Sequence, residues 1–246
     1  MPESKAVKEV SLSSYVWIRF YRSKDPAMID DLGKWLQDCE LPAMFEQPAI
    51  RQAALYRDLH FPNMQQRDYF TTYRFDTCHY ERTRDEIKRQ CHQVSGKHPA
   101  PGFLVLEQEP FYTESHKCNR VLPRIPAYDP GFAGPVFKKH AMYGFAHSAN
   151  ERRREEFITW YQAERQHDVL REFFPFDNAG MWLLCAGERF PEYVFTLYEF
   201  SPSNLARTMD VLQGAYAALN WLRSSDLYVT GYAGVLEVVA ELFKEA

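Results

Sequence analysis

The 246-residue chain holds five cysteines, Cys39, Cys78, Cys91, Cys118 and Cys185. They are odd in number and never spaced C-x-x-C. That excludes a disulfide framework and a Cys-based zinc site. No run approaches eighteen apolar residues, and the opening "MPESKAVKEVSL" has no apolar stretch of signal-peptide length. A soluble, reduced, cytoplasmic protein without a membrane partner is the expectation. Basic charge is scarce too: the formal net charge is −4 and the pI about 6.1, which leaves no electrostatic footprint for nucleic acid. The glycines form no G-x-G-x-x-G, Walker loop or G-x-S-x-G elbow, and there is no H-E-x-x-H. Nucleotide cofactors and serine hydrolysis are thereby disfavoured.

Aromatic residues are plentiful, at 15% of the chain. They favour large contacts in a core or around an apolar ligand. The sequence also repeats itself. "FTTYRFDTCHYERTRD" (70–85) returns 125 positions later as "FTLYEFSPSNLARTMD" (195–210), with Phe70, Thr71, Tyr73, Phe75, Arg82, Thr83 and Asp85 all matched. The same offset pairs Phe20 with Phe145, Ser23 with Ser148, Trp35 with Trp160 and Gln37 with Gln162. A constant offset over so long a span points to two copies of one supersecondary unit.

Period-two alternation makes "SYVWIRFYRS" and "HAMYGFAHS" strands, each followed by an amphipathic helix capped by Asp25 or Asn150. Pro42 should end or kink the first helix. "AIRQAALYRDL", "YFTTYRFD", "GFLVLEQE", "GMWLLCAG", "YVFTLYEFS" and "DLYVTGYAG" read as further strands. "YERTRDEIKRQCHQV" and "SPSNLARTMDVLQGAYAALNWLRSS" read as helices, and the last residues, 231–246, could close as a short helix. Each copy is then β-α-β-β-α-β. The expected architecture is α+β: two tandem ferredoxin-like repeats whose antiparallel sheets pack into an α+β barrel. The divisions are a tail at 1–13, repeat 1 at 14–112, a Pro/Gly-rich linker at 113–138 and repeat 2 at 139–246.

"FITWYQAERQHDVL" (157–170) with "EYVFTLYEF" (192–200), and "KWLQDCELPAM" (34–44) in the first copy, resemble the EthD-type branch of the dimeric α+β barrel superfamily. The resemblance implies a barrel and a small-molecule ligand. It also implies a helix histidine, but Glu40 and Arg165 stand at that position in the two copies, so the proton-transfer role of that histidine does not carry over. The family position implies that Glu40 and Arg165 face the barrel interior.

The expected ligand is small and apolar, aromatic or polyketide-like, held in that interior. Glu40, desolvated, could serve as a general base, and Arg165 could hold a carboxylate or enolate oxygen. The other reading makes both solvated helix-end charges. Arg19, set between aromatics on a strand, either anchors an anion or pairs internally with Glu40 or another acid. Tyr15, Trp17, Tyr21, Trp35, Tyr73, His140, Trp160 and Tyr198 would form the walls. The histidines show no metal-ligand spacing, so no metal is expected. The Arg-Thr-x-Asp sets read as structural. Isomerisation, dehydration or cofactor-free oxygenation is the leading chemistry, with no cofactor. A non-catalytic binding or scaffold protein, or a haem-binding barrel, stays open, and a homodimer is compatible with either.

Overall fold

The computed structural model describes residues 12–59, 67–119, 140–162, 176–200 and 228–244, with backbone alone at 116–119, 176–179, 199–200 and 228–233. The described residues form nine strands and four α-helices. The strands are β1 (Ser13–Ser23), β2 (Ile50–Asp58), β3 (Tyr69–Thr77), β4 (Leu104–Gln108), β5 (Phe111–Asn119), β6 (His140–Ser148), β7 (Phe176–Leu184), β8 (Val194–Phe200) and β9 (Tyr228–Phe243). The helices are α1 (Ile29–Trp35), α2 (Leu41–Phe45), α3 (Tyr80–Lys97) and α4 (Arg154–Trp160). No described helix is long and apolar enough to cross a membrane.

All pairings are antiparallel. The sheet runs β3-β2-β9-β6-β8-β7-β5-β1, and β1 pairs back to β3, so eight strands close into a barrel. β4 continues beside the far end of β1, pairing over Phe20–Ser23, while β5 takes Tyr15–Trp17. β9 joins the two halves by pairing first with β6 and then with β2. β5 likewise bridges β1 and β7. Residues 113–119, placed in the linker by composition, are therefore strand; the rest of that stretch lies outside the described residues. The expected helix at 231–246 is corrected to strand over its described length. Its valines are β-branched, and two open strand edges, β6 and β2, offer partners on either side.

Asp25 and Asn150 cap as expected, accepting from Ala27 N and Arg152 N at 2.9 and 3.0 Å. The first helix is not one piece. Proline at 42 cannot donate to residue 38 and would crowd its carbonyl. The chain accommodates it with a wide turn at Leu36–Glu40, where Leu41 N–H donates to Leu36 O, and then resumes as α2. Such wide turns recur at functional sites. Gly33 lets α1 approach β3, because a Cβ there would overlap the Tyr69 hydroxyl.

The pleat sends the two faces of β1 to different places. Val16, Ile18 and Phe20 point into the barrel with Ala54, Phe70, Tyr143, Phe145, Trp182, Phe195 and Leu236. Trp17 and Tyr21 point out, under Leu32, Leu36, Leu41, Met44, Ile87 and Cys91 of the helices. The barrel interior is packed: Phe145 stacks on Phe195 at 4.8 Å and meets Phe20 edge-on at 5.5 Å, and Trp182 lies 5.2 Å from Phe195. Phe190 and the Arg67 guanidinium, 3.9 Å from the Phe20 ring centre, cover one side of this cluster. Among the described residues the interior is core, which corrects the expected chamber there. The helix-side layer holds the aromatic walls instead.

Phe145→Ala should cost about 3–5 kcal/mol, the range for truncating a fully buried ring. Urea unfolding checks this, and a loss below about 1 kcal/mol would mean that the interior has room to spare.

Candidate functional site

Arg19 sits mid-strand in β1 on the helix-facing side. Its guanidinium lies 5.0 Å from the Trp17 ring centre and 5.4 Å from that of Tyr21. Arg19 Nη1 donates to Glu40 Oε1 at 2.5 Å, and Arg19 Nε lies 3.3 Å from Glu109 Oε2. The same Glu40 oxygen accepts from the Tyr21 hydroxyl and, at 3.3 Å, from Tyr73. Arg19 is 7% exposed and Glu40 5%, while Tyr21 and Tyr73 are fully enclosed. Glu40 is thus no solvated helix-end charge, and of the two readings of Arg19 the internal pair is the one found. The wide turn at Leu36–Glu40 presents the carboxylate; β1 and β3 present its three donors.

Burial alone would lower the Arg19 pKa. The acidic side chains packed around it, Tyr21, Glu40, Cys91 and Tyr73, more than offset that and hold it above the usual arginine range. Burial, together with the neighbouring Glu40 carboxylate, holds the Tyr21 and Tyr73 phenols well above the usual tyrosine range, despite the opposing Arg19. Around this centre Tyr15 stacks on Tyr80 and Phe75, Trp17 stacks on Phe111 at 5.1 Å, and Trp35 is half-buried in the same layer.

The other half of the barrel repeats the frame with different contents. In β1 the outward residues Tyr15, Trp17, Arg19 and Tyr21 face Phe75, Tyr73, Thr71 and Tyr69 of β3. In β6 the corresponding residues His140, Met142, Gly144 and Ala146 face Phe200, Tyr198, Thr196 and Val194 of β8. The β3 and β8 sides match closely; the β1 and β6 sides do not. Where one half carries Trp, Arg and Tyr, the other carries Met, Gly and Ala. Gly144 is half-buried, and its strand is paired on both sides. Among the described residues, a Cβ placed on it would meet only Thr196 Oγ1 within 4 Å, at a tight 3.1 Å. His140, Met142, Ala146, Thr196 and Tyr198 are buried around it, and Phe157, Tyr161 and Met181 pack against Ala146. Trp160 is half-buried on α4. Arg165 lies outside the described residues.

The structure therefore gathers Arg19, Glu40, Tyr21, Tyr73, Trp17, Tyr15 and Trp35 in one layer, and His140, Tyr198 and Trp160 in its counterpart. Composition and motif searching passed over Gly144, Ala146 and Glu109. The first two were within reach, since the 125-residue offset applied to the first strands sets Gly144 against Arg19.

No family model matches the chain, and no curated protein matches it. Several solved structures share its fold. An anthrone oxidase-like protein has 10% identity and a TM-score of 0.55, covering 94% of this chain and 93% of its own. A single-residue mutant of the chlorite dismutase from Candidatus Nitrospira defluvii has 8% identity and a TM-score of 0.54, covering 92% and 91%. A haem-binding protein from Thermus thermophilus has 10% identity and a TM-score of 0.49, covering 94% and 92%. At such identities the likeness concerns the fold, an α+β barrel; it does not single out the EthD branch. The expectation of no cofactor does not stand, because haem-binding chlorite dismutase is among the structures so built. The layer over β1 does not fit a haem, because the buried side chains of Trp17, Arg19 and Tyr21 fill it. The described floor over β6 and β8 fits a flat apolar group better, with Met142, Gly144 and Ala146 low and His140 buried beside them.

Two outcomes test the buried centre. Glu40→Ala should cost about 3–5 kcal/mol by stranding Arg19, whereas Arg19→Met with Glu40→Met should cost far less. A double-mutant cycle in urea showing additive losses would deny the coupling. The raised phenols predict the alkaline behaviour. A folded pKa above the unfolded value, about 10, leaves stability intact below pH ~10 and erodes it above, as unfolded phenols ionise and folded ones do not. Absorbance at 295 nm followed with circular dichroism should show a subset of tyrosines, Tyr21 and Tyr73 among them, ionising only on unfolding. Tyr21→Phe with Tyr73→Phe should flatten the decline.

Proposed function

We propose that the protein binds one small, flat, largely apolar molecule in the sheet–helix layer of its C-terminal half, over β6 and β8, and carries out proton-transfer chemistry on it. The half-buried Gly144, standing without a side chain in register where Arg19 stands in the other half, carries the reading. A glycine inside a strand often marks a site where a ligand or another backbone approaches closely. Met142 and Ala146 give this place an apolar floor, and Thr196, Tyr198 and His140 give it polar atoms. Few, well-placed polar groups on an apolar surface are the usual make-up of a ligand site.

Arg165 is the sequence counterpart of Glu40 and keeps its proposed part, holding a carboxylate or enolate oxygen of the ligand. Tyr198 and His140 are the groups proposed to hold or move a proton. The acid at Glu40 belongs to the filled half, so the chemistry is assigned away from it. An aromatic acid meets this description, and so does haem, whose flat ring carries carboxylates. The similar structures support the haem member of that class by fold.

Anilinonaphthalene sulfonate, a flat aromatic anion, serves as the first probe, read by calorimetry. One molecule should bind per chain, and Gly144→Phe should weaken binding at least about tenfold, about 1.4 kcal/mol, while circular dichroism stays native. Haemin titration, with and without His140→Ala, is the second arm: a Soret band lost in the variant selects haem. A natively folded Gly144→Phe that binds both probes like the parent would sink the placement. No binding by the parent leaves a scaffold.

A further inference from the structure

The two halves share a frame but not its contents, and the contents of the N-terminal half look like a bound guest. The Arg19 guanidinium lies between two aromatic rings, Trp17 and Tyr21, as a recognised cation does. It meets an enclosed carboxylate, Glu40, at 2.5 Å and a second, half-exposed one, Glu109, at 3.3 Å. The carboxylate is itself held by the Tyr21 and Tyr73 hydroxyls. Thr71, opposite Arg19 across the ladder, matches Thr196 opposite Gly144. Replacing the side chain of residue 19 by that of its counterpart would empty this place without touching its walls.

We propose that the Arg19 side chain is a built-in occupant: it fills, in the N-terminal half, the place that the C-terminal half keeps for a ligand. The carboxylate–tyrosine cradle around it is a guanidinium-binding site, closed because the chain supplies its own guanidinium. This rests on the C-terminal reading for what the place is compared with; the cradle itself belongs to the described N-terminal residues. It follows that one ligand, not two, is bound per chain, and that residue 19 decides which half is free.

Chemical rescue tests the cradle directly. Arg19→Gly severs the guanidinium from the chain and leaves Glu40, Glu109, Tyr21, Tyr73 and Trp17 in place. Ethylguanidinium should refill the gap. At about tenfold excess over its Kd, the Tm of Arg19→Gly should rise about 3–5 °C. Ethylammonium at the same ionic strength should do much less, since it lacks the planar fork. The parent chain, and the variant Arg19→Met with Glu40→Met, whose place is filled, should gain nothing. If Arg19→Gly does not fold unaided, the readout becomes folded yield on dilution from urea. Ethylguanidinium then restores it and ethylammonium does not. Equal effects of the two ions, or a rise of the same size in the Met/Met variant, would overturn the proposal. The outcome is independent of anilinonaphthalene sulfonate binding at Gly144, so failure of one does not imply failure of the other.

Discussion

The pleat of β1 is the constraint on which the rest depends. Both of its faces are buried, one in the barrel and one under helices, so the strand has a single tolerable register. A slip of one residue would carry Arg19 into the ring-packed interior, away from Glu40, and leave Phe20 against Glu40. Each alternative buries an unpaired charge at a cost of several kcal/mol. The barrel could close in several ways on hydrophobicity alone. The ion pair removes those in which β1 is turned over.

This gives the buried pair its proper weight. Charged partners taken out of water seldom add much net stability, because desolvation offsets their attraction. Their effect is on uniqueness. Glu40 reaches the sheet only from the wide turn that accommodates Pro42, so helix geometry, strand register and the hydroxyls of Tyr21 and Tyr73 must agree for the pair to form. The β3 register fixes Tyr73 opposite Trp17, which places the third donor.

Much of the frame was legible in the sequence. Period-two runs gave strands, Asp25 and Asn150 marked helix starts, and the repeated phrase at 70 and 195 announced two like halves. The residues that meet at Glu40 were named, and pairing with Arg19 was among the readings. Depth was not legible. Alternation shows that a strand has two faces, not which one turns inward, so aromatics assigned to a chamber line the helix layer instead. The C-terminal segment misled because valine and leucine spacing there suits a helix until two strand edges claim it. Gly144 carried no motif. Its meaning lies in the contrast with Arg19, which appears only when the repeat is used to compare contents rather than to count matches.

On the proposed reading, that contrast lets a fold of this kind hold a site without losing its core. If both layers over the sheet were left open, the helices would rest on a floor of small side chains and lose the contacts that order them. If both were filled, no ligand could enter. Filling one with Trp17, Arg19 and Tyr21, and lowering the other to Met142, Gly144 and Ala146, divides the two demands between halves that share strands β5 and β9. Those strands hydrogen-bond to both halves, so the register of the filled half and that of the proposed site's floor are joined through backbone. A site on such a floor is held in place by strands whose register is set elsewhere, and its own residues are left free to suit the ligand.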